Sequence, residues 1–389
     1  MLKLLALAVF AVPALAAPDE ELLGKAKGYP NCALKAAIGR QECLVGLYSG
    51  YDEVLSARKI AKGATVTQLP RTERDVGADG FMAANRNTGL LVMKNGTVLA
   101  ERYQYDRKPE HRFASMSMAK TLVAMLVGIA IEEKKIASVD DTADKYVPEL
   151  KGHPYGETRL RHLLTMSSGV RFTERYDGTD DMSVMMNKTF FHEGPGGVDT
   201  VMSFRERAAP AGTRFAYASA ETQVLGLVLR AAVGKTLAEY LSEKIWQPMG
   251  AEFDATWNTD AGGHELAFCC INATLRDYAR VGLMLSNDGA IDGRQIIPAA
   301  WVKAATTPEA PHLQVGRATQ FNGYGYQTWL ISPRTRRFAL LGVRGQGVYV
   351  DPDAKLVVVH TAVHASARDL PARSRQFQYF DFVLSKLEQ

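Results

Sequence analysis

The sequence predicts an α/β (α+β) fold: a mixed antiparallel sheet built from both ends of the chain, flanked by helices, with a mostly helical lobe inserted between them. Three observations lead there. Residues 89–105 read as a β-hairpin, strand-like runs return only from Tyr324 to His360, and the stretch of about 115–310 reads as helices and loops. A sheet shared by distant segments leaves a seam against the inserted lobe, and such a seam is a natural substrate crevice.

Taken in order, residues 1–16 carry Lys3, an apolar run from Leu4 to Leu15 and the small-x-small step Ala14-Leu15-Ala16. That pattern predicts a secretory leader, too short to span a bilayer, and hence an exported protein, periplasmic in a Gram-negative host. No integral membrane segment is expected after its removal. Residues 17–88 form an N-terminal extension, and residues 89–389 the main domain. In the first hairpin, Leu90-Leu91-Val92-Met93 and Thr97-Val98-Leu99-Ala100 flank Lys94-Asn95-Gly96, a turn signal that specifies hairpin closure. A helix is predicted from Ser117 to about Ile131. Residues Thr173 to Pro195, rich in Asp, Gly and Met, read as a loop forming one wall of the crevice. Late strands are expected over Tyr324–Leu330, Phe338–Val343, Gly347–Val350 and Lys355–His360, with Asp351-Pro352-Asp353 turning between the last two. Phe377, Phe380, Val383, Leu384 and Leu387 then recur at helical spacing, which places a closing helix on the sheet.

At 389 residues and 47% hydrophobic, the chain can bury a large core as one two-lobed domain or two domains. The net charge of +4 is spread along the sequence without a basic tail, so no nucleic-acid partner is expected. Cys32, Cys43, Cys269 and Cys270 allow three pairings; the neighbours Cys269 and Cys270 are expected to find partners elsewhere or to stay free. There is no Cys-x-x-Cys or His-x-His, so neither a metal site nor a cofactor is expected. Oligomeric state is not encoded in any pattern here.

The chemistry centres on Ser117-Met118-Ala119-Lys120, followed by the apolar run Thr121 to Ile129. A serine and a lysine three apart share one helix face, and at a helix N-terminus the local potential favours a neutral amine and a negative oxygen. A neutral lysine beside a serine makes an acyl-transfer nucleophile. Spacing alone is weak: Ser56-Ala57-Arg58-Lys59 repeats it among charges, with no apolar helix behind, and reads as a solvated turn. An N-cap serine with a surface lysine is the competing reading of Ser117. A second element, Pro210-Ala211-Gly212 through Tyr217-Ala218-Ser219, sets a tyrosine between a Pro-Gly loop and an apolar helix. A third, Gly342-Val343-Arg344-Gly345-Gln346-Gly347, is a glycine-rich strand end where a substrate can approach backbone N–H groups, or simply a turn between strands.

In this order the three elements resemble the serine β-lactamase and penicillin-recognising superfamily, within it the class C-like esterases and 6-aminohexanoate-dimer hydrolases. The resemblance runs from about Gly89 to the C-terminus and includes Arg161 to Gly169, Asn272 to Arg280, and Asn287-Asp288-Gly289. It implies Ser117 as nucleophile, Lys120 as its activating partner and Tyr217 as proton carrier. It further implies an oxyanion hole from the N–H groups of Ser117 and Val343, and substrate contacts from Ser219, Gly342, Arg344, Gly345 and Gln346. The family's Lys-Thr-Gly is absent; Leu340-Leu341-Gly342 or Arg344-Gly345-Gln346 stands in its place, which argues against efficient β-lactam hydrolysis.

The expected function is therefore an exported serine hydrolase acting on a small-molecule ester or amide through a Ser117 acyl-enzyme. The alternative is a penicillin-binding-like module that acylates slowly and senses cell-wall peptide. An α/β-hydrolase is excluded, because no serine lies two residues after a glycine. The acyl-enzyme reading makes one demand. At its reference pKa of about 10.4, a lysine is neutral in roughly one molecule in 2,500 at pH 7, a handicap of about 4.6 kcal/mol.

Overall fold

The computed structural model describes residues 16–388, so the predicted leader lies, but for Ala16, outside the described residues. The main sheet is antiparallel and seven-stranded, in the order β3-β2-β13-β12-β11-β10-β9. Its first hairpin is β2 (Asn87–Lys94) and β3 (Thr97–Tyr103), and Asn95 and Gly96 both take positive φ, as the tight turn between twisted strands requires. The remaining strands are β9 (Gly323–Tyr324), β10 (Trp329–Leu330), β11 (Phe338–Gly342), β12 (Gln346–Asp351) and β13 (Leu356–Ala362). Pairing of Leu90 with His360 and Val92 with Val358 joins the two ends of the chain, as the sequence predicts.

Side-chain alternation divides the core between the sheet's faces. Leu90, Val92, Leu356 and Val358 face the closing helix and pack with Tyr379, Phe380 and Val383. Leu91, Met93, Val357 and Val359 face the opposite way, into the large core shared with the helical lobe. Numbering only helices of ten or more residues, α1 is Ala119–Glu132, α2 Asp181–Phe190, α3 Ser219–Val233, α4 Leu275–Ser286 and α5 Leu370–Leu387. From Ala119 to Ala130, α1 is buried on all sides, which its unbroken apolar run dictates.

A second sheet of four strands, ordered β1-β5-β6-β4, lies beside the nucleophile segment. It comprises β1 (Ala57–Ile60), β4 (Phe113–Ala114), β5 (Ala255–Asn258) and β6 (Ile271–Ala273). A small hairpin, β7 (Ala290–Ile291) and β8 (Arg294–Gln295), completes the strands. Among the described residues, no helix is long and apolar enough to cross a membrane.

Four expectations are corrected. Ala57–Lys59 is not a solvated turn: it pairs with β5, and Arg58 donates to the Gly263 carbonyl at 3.0 Å, so charged side chains sit on an edge strand. The run Tyr324–Leu330 breaks into two strands folded on each other, because Gln327 (φ 51°) turns inward between them. There Gln327 accepts from Thr121 and Thr222 and donates to Leu163, tying the sheet to the helical lobe. The Thr173–Pro195 segment is not all loop; Asp180 caps α2 within it. Finally, Cys269 is joined to Cys270, and Cys32 to Cys43. Cys270 adopts a left-handed conformation (φ 71°) on entering β6, and this turn sets the neighbouring side chains together.

Candidate active site

The nucleophile turn is built by the second sheet. β4 ends at Ala114, the Ser115 N–H donates to the Ile271 carbonyl at 2.7 Å, and the Ile271 N–H donates back to the Ser115 hydroxyl at 3.0 Å. One tight turn of helix, Met116–Met118, then leads into α1. This geometry leaves Ser117 partly exposed and drives Lys120 into the core at 1% exposure. Lys120 Nζ lies 2.9 Å from Ser117 Oγ and 2.7 Å from the Phe268 carbonyl, and 5.2 Å from the centre of the Tyr217 ring.

Tyr217 arrives from the segment before α3 and stacks on Trp329 at 5.3 Å, with Phe215 and Tyr324 completing an aromatic wall. The three residues the sequence singles out thus lie side by side. Electrostatics there suit proton transfer. Burial lowers Lys120 to about 8, while the charge of Glu174 pulls it back up. Burial pushes the Tyr217 phenol up, Glu174 adds to this, and a hydrogen bond with the Ser117 side chain opposes it.

The late strand end is pressed against the same turn. A Cβ on Gly342 would lie 2.5 Å from the Ser115 carbonyl oxygen and 2.9 Å from Met116 Cβ, so glycine is required for the approach. Val343, partly exposed, follows directly. The other predicted contacts are occupied within the protein. Ser219 donates from its N–H and its hydroxyl to Glu174, at 2.8 and 3.0 Å. Arg344 donates to the carbonyls of His364 and Ala365 at 2.7 and 2.9 Å. Gln346 is buried and donates to the Ala362 carbonyl at 2.7 Å, and Gly345 abuts the His364 ring.

Glu174 escaped sequence reasoning. It is buried at 5% exposure, accepts from Ser219 and from the Tyr176 hydroxyl (2.5 Å), and faces both Lys120 and Tyr217 electrostatically. It sits in a stretch whose composition reads as a solvated loop, and no spacing marks it. Among the described residues, no group of three or more His, Cys, Asp or Glu side chains is placed to hold a metal ion.

The chain is 28% identical over 307 residues to the 6-aminohexanoate-dimer hydrolase of Paenarthrobacter ureafaciens, covering 76% of each chain. A Bacillus anthracis structure provisionally named as a 6-aminohexanoate-dimer hydrolase superposes with a TM-score of 0.81 at 24% identity, covering 89% of this chain and 95% of that one. A penicillin-binding protein from Bacillus halodurans shares the fold at a TM-score of 0.62 and 18% identity, covering 78% and 98%. The beta-lactamase family profile matches residues 75–375, and with it the chain belongs to the beta-lactamase family, as a serine hydrolase.

Proposed function

We propose that this protein is an exported, periplasmic hydrolase that cleaves a small linear amide or ester through an acyl-enzyme on Ser117. The observation that carries the reading is the 2.9 Å contact between Ser117 Oγ and a buried Lys120 amine beside the Tyr217 phenol. Ser117 Oγ gives its proton to the neutral Lys120 amine and bonds to the substrate carbonyl carbon. The backbone N–H groups of Ser117 and Val343 receive the oxyanion. As the carbonyl re-forms, the C–N or C–O bond breaks, and the leaving atom takes a proton relayed from Lys120 through Tyr217. Water then attacks the ester carbonyl and gives its proton to Tyr217 and Lys120, which return it to Ser117 Oγ as the bond from the acyl carbon to Ser117 Oγ breaks, leaving Lys120 neutral again.

With Lys120 near 8, about one molecule in ten is neutral at pH 7, which removes on the order of 3 kcal/mol of the handicap an exposed lysine would carry. The likeness to the Paenarthrobacter hydrolase favours a linear amide as substrate.

Lys120→Ala is expected to lower kcat/KM on a p-nitrophenyl ester by about a thousandfold, the middle of the range for a general base, while its melting temperature confirms folding. Unchanged ester hydrolysis by that variant would remove Lys120 from the mechanism. Permanent labelling of Ser117 by a fluorescent penicillin, with no turnover of any ester or amide, would support a slow-acylating sensor instead.

A further inference from the structure

Residues 268–271 hold the nucleophile turn and Lys120 at once. At the start of this segment the Phe268 carbonyl accepts from Lys120 Nζ at 2.7 Å, and the centre of the Phe268 ring lies 5.7 Å from the same nitrogen. At its end Ile271 exchanges two hydrogen bonds with Ser115, at 2.7 and 3.0 Å. Between these contacts stand only Cys269 and Cys270, joined to each other and buried at 4% and 0% exposure. The pair is docked on β5: the Cys269 carbonyl accepts from the Trp257 indole at 3.0 Å, and the Cys270 carbonyl from the Asn258 N–H at 3.1 Å.

Cys270 has φ 71°, a left-handed conformation that a residue with a Cβ seldom adopts. A bond between adjacent side chains closes a ring around their shared peptide, so the backbone there cannot swing back to an extended path. That constraint bears on Lys120. A neutral amine has two N–H donors and one lone pair, and only the lone pair can take the Ser117 proton. With one N–H committed to the Phe268 carbonyl, rotation about the last side-chain bond is arrested, and the lone pair is left for Ser117 Oγ, 2.9 Å away.

We propose that Cys269 and Cys270 are positioning residues for the acyl transfer: their bond fixes the left-handed turn that keeps the Phe268 carbonyl on Lys120 and the Ile271 backbone on the nucleophile turn. This rests on the hydrolase reading above. The bond acts through Phe268 and Ile271, and the sulfurs exchange neither electrons nor protons in the reaction.

Two double variants test this on a neutral p-nitrophenyl ester. In Cys269→Ala/Cys270→Ala the left-handed angle is both unlocked and disfavoured; in Cys269→Ala/Cys270→Gly it is unlocked but free of strain. With KM little changed, kcat is expected to fall about a hundredfold in the first, the scale of a reacting group misplaced by about 1 Å, and about tenfold in the second. An acceptor on an ammonium favours its charged form, so loss of the Phe268 carbonyl moves the acidic limb of kcat/KM to lower pH. Ser117, Tyr217 and Glu174, the other groups that face Lys120, are kept in both variants. Melting temperatures show which variants fold, and the glycine variant carries the test alone if alanine at that angle prevents folding. A smaller folded fraction lowers kcat but leaves the limb in place. Wild-type kcat in the glycine variant, or an acidic limb that does not move to lower pH, overturns the assignment while leaving the hydrolase reading intact. Free thiols in the wild-type protein, counted with a chromogenic disulfide after unfolding without reductant, do the same. Equal rates for the wild type and Ser117→Ala overturn the hydrolase reading and this assignment with it.

Discussion

Lys120 can accept a proton only as the free amine, so the acidic limb of the rate follows its titration. Burial sets that limb near pH 8: kcat/KM is expected to rise with pH to a plateau above it. Glu174 holds the amine more basic than burial alone would, so Glu174→Gln should shift the limb to lower pH while its amide keeps a partner for Ser219. A pH–rate profile of the two proteins on a neutral ester checks this. An identical limb in both would mean that Glu174 acts only as a structural anchor.

Among the secondary-structure elements, β11 is positioned by the absence of a side chain. The Ser115 carbonyl and the Gly342 Cα meet so closely that Gly342→Ala must part the strand end from the nucleophile turn. A loss of about 1–3 kcal/mol in stability is expected, as for overpacking elsewhere in cores, with a larger fall in kcat than in KM. Unfolding in urea together with steady-state kinetics measures both. A variant with wild-type kcat would show that the strand end is not part of the oxyanion site. Elements of this kind were legible where a local rule fixes them. Asn95-Gly96 demands a hairpin, and an unbroken apolar run behind Ser117 demands a buried helix. The Pro-Gly loop before Tyr217 has no such rule of its own; ordered with Ser117 and the late glycines, it sufficed. What stayed hidden depends on contacts between distant residues. Gln327 turns inward only because Thr121, Thr222 and Leu163 await it. Glu174 is a single charge in a turn rich in Asp and Gly, and composition cannot tell that it is buried while its charged neighbours Arg175 and Asp177 are not. The Cys269–Cys270 bond follows from one backbone angle that no neighbouring residue announces.

For the whole molecule, Glu221 couples acidity to stability. It lies in α3 and accepts from the Ser168 hydroxyl at 2.6 Å; burial raises its carboxyl to about 8. In the unfolded chain the same group titrates near 4.3, so between those values the native state binds the extra proton. Stability should therefore be full below about pH 4.3 on this account and decline as pH rises through 8, by up to about 1.4 kcal/mol per pH unit. Glu221→Gln, which removes the titration, should flatten that decline when denaturant midpoints are compared at acidic and neutral pH. The same slope in both proteins would assign it to other groups.

The pairing of β2 with β13 carries a further consequence, for the order in which the chain becomes active. A ribosome releases Ser117, Lys120 and Tyr217 long before Leu356–Ala362, yet β2 has no neighbour on that side until the last strand emerges. Nascent chains stopped short of β13 should carry every reacting side chain and hydrolyse nothing, so that activity appears all at once, with the final strand.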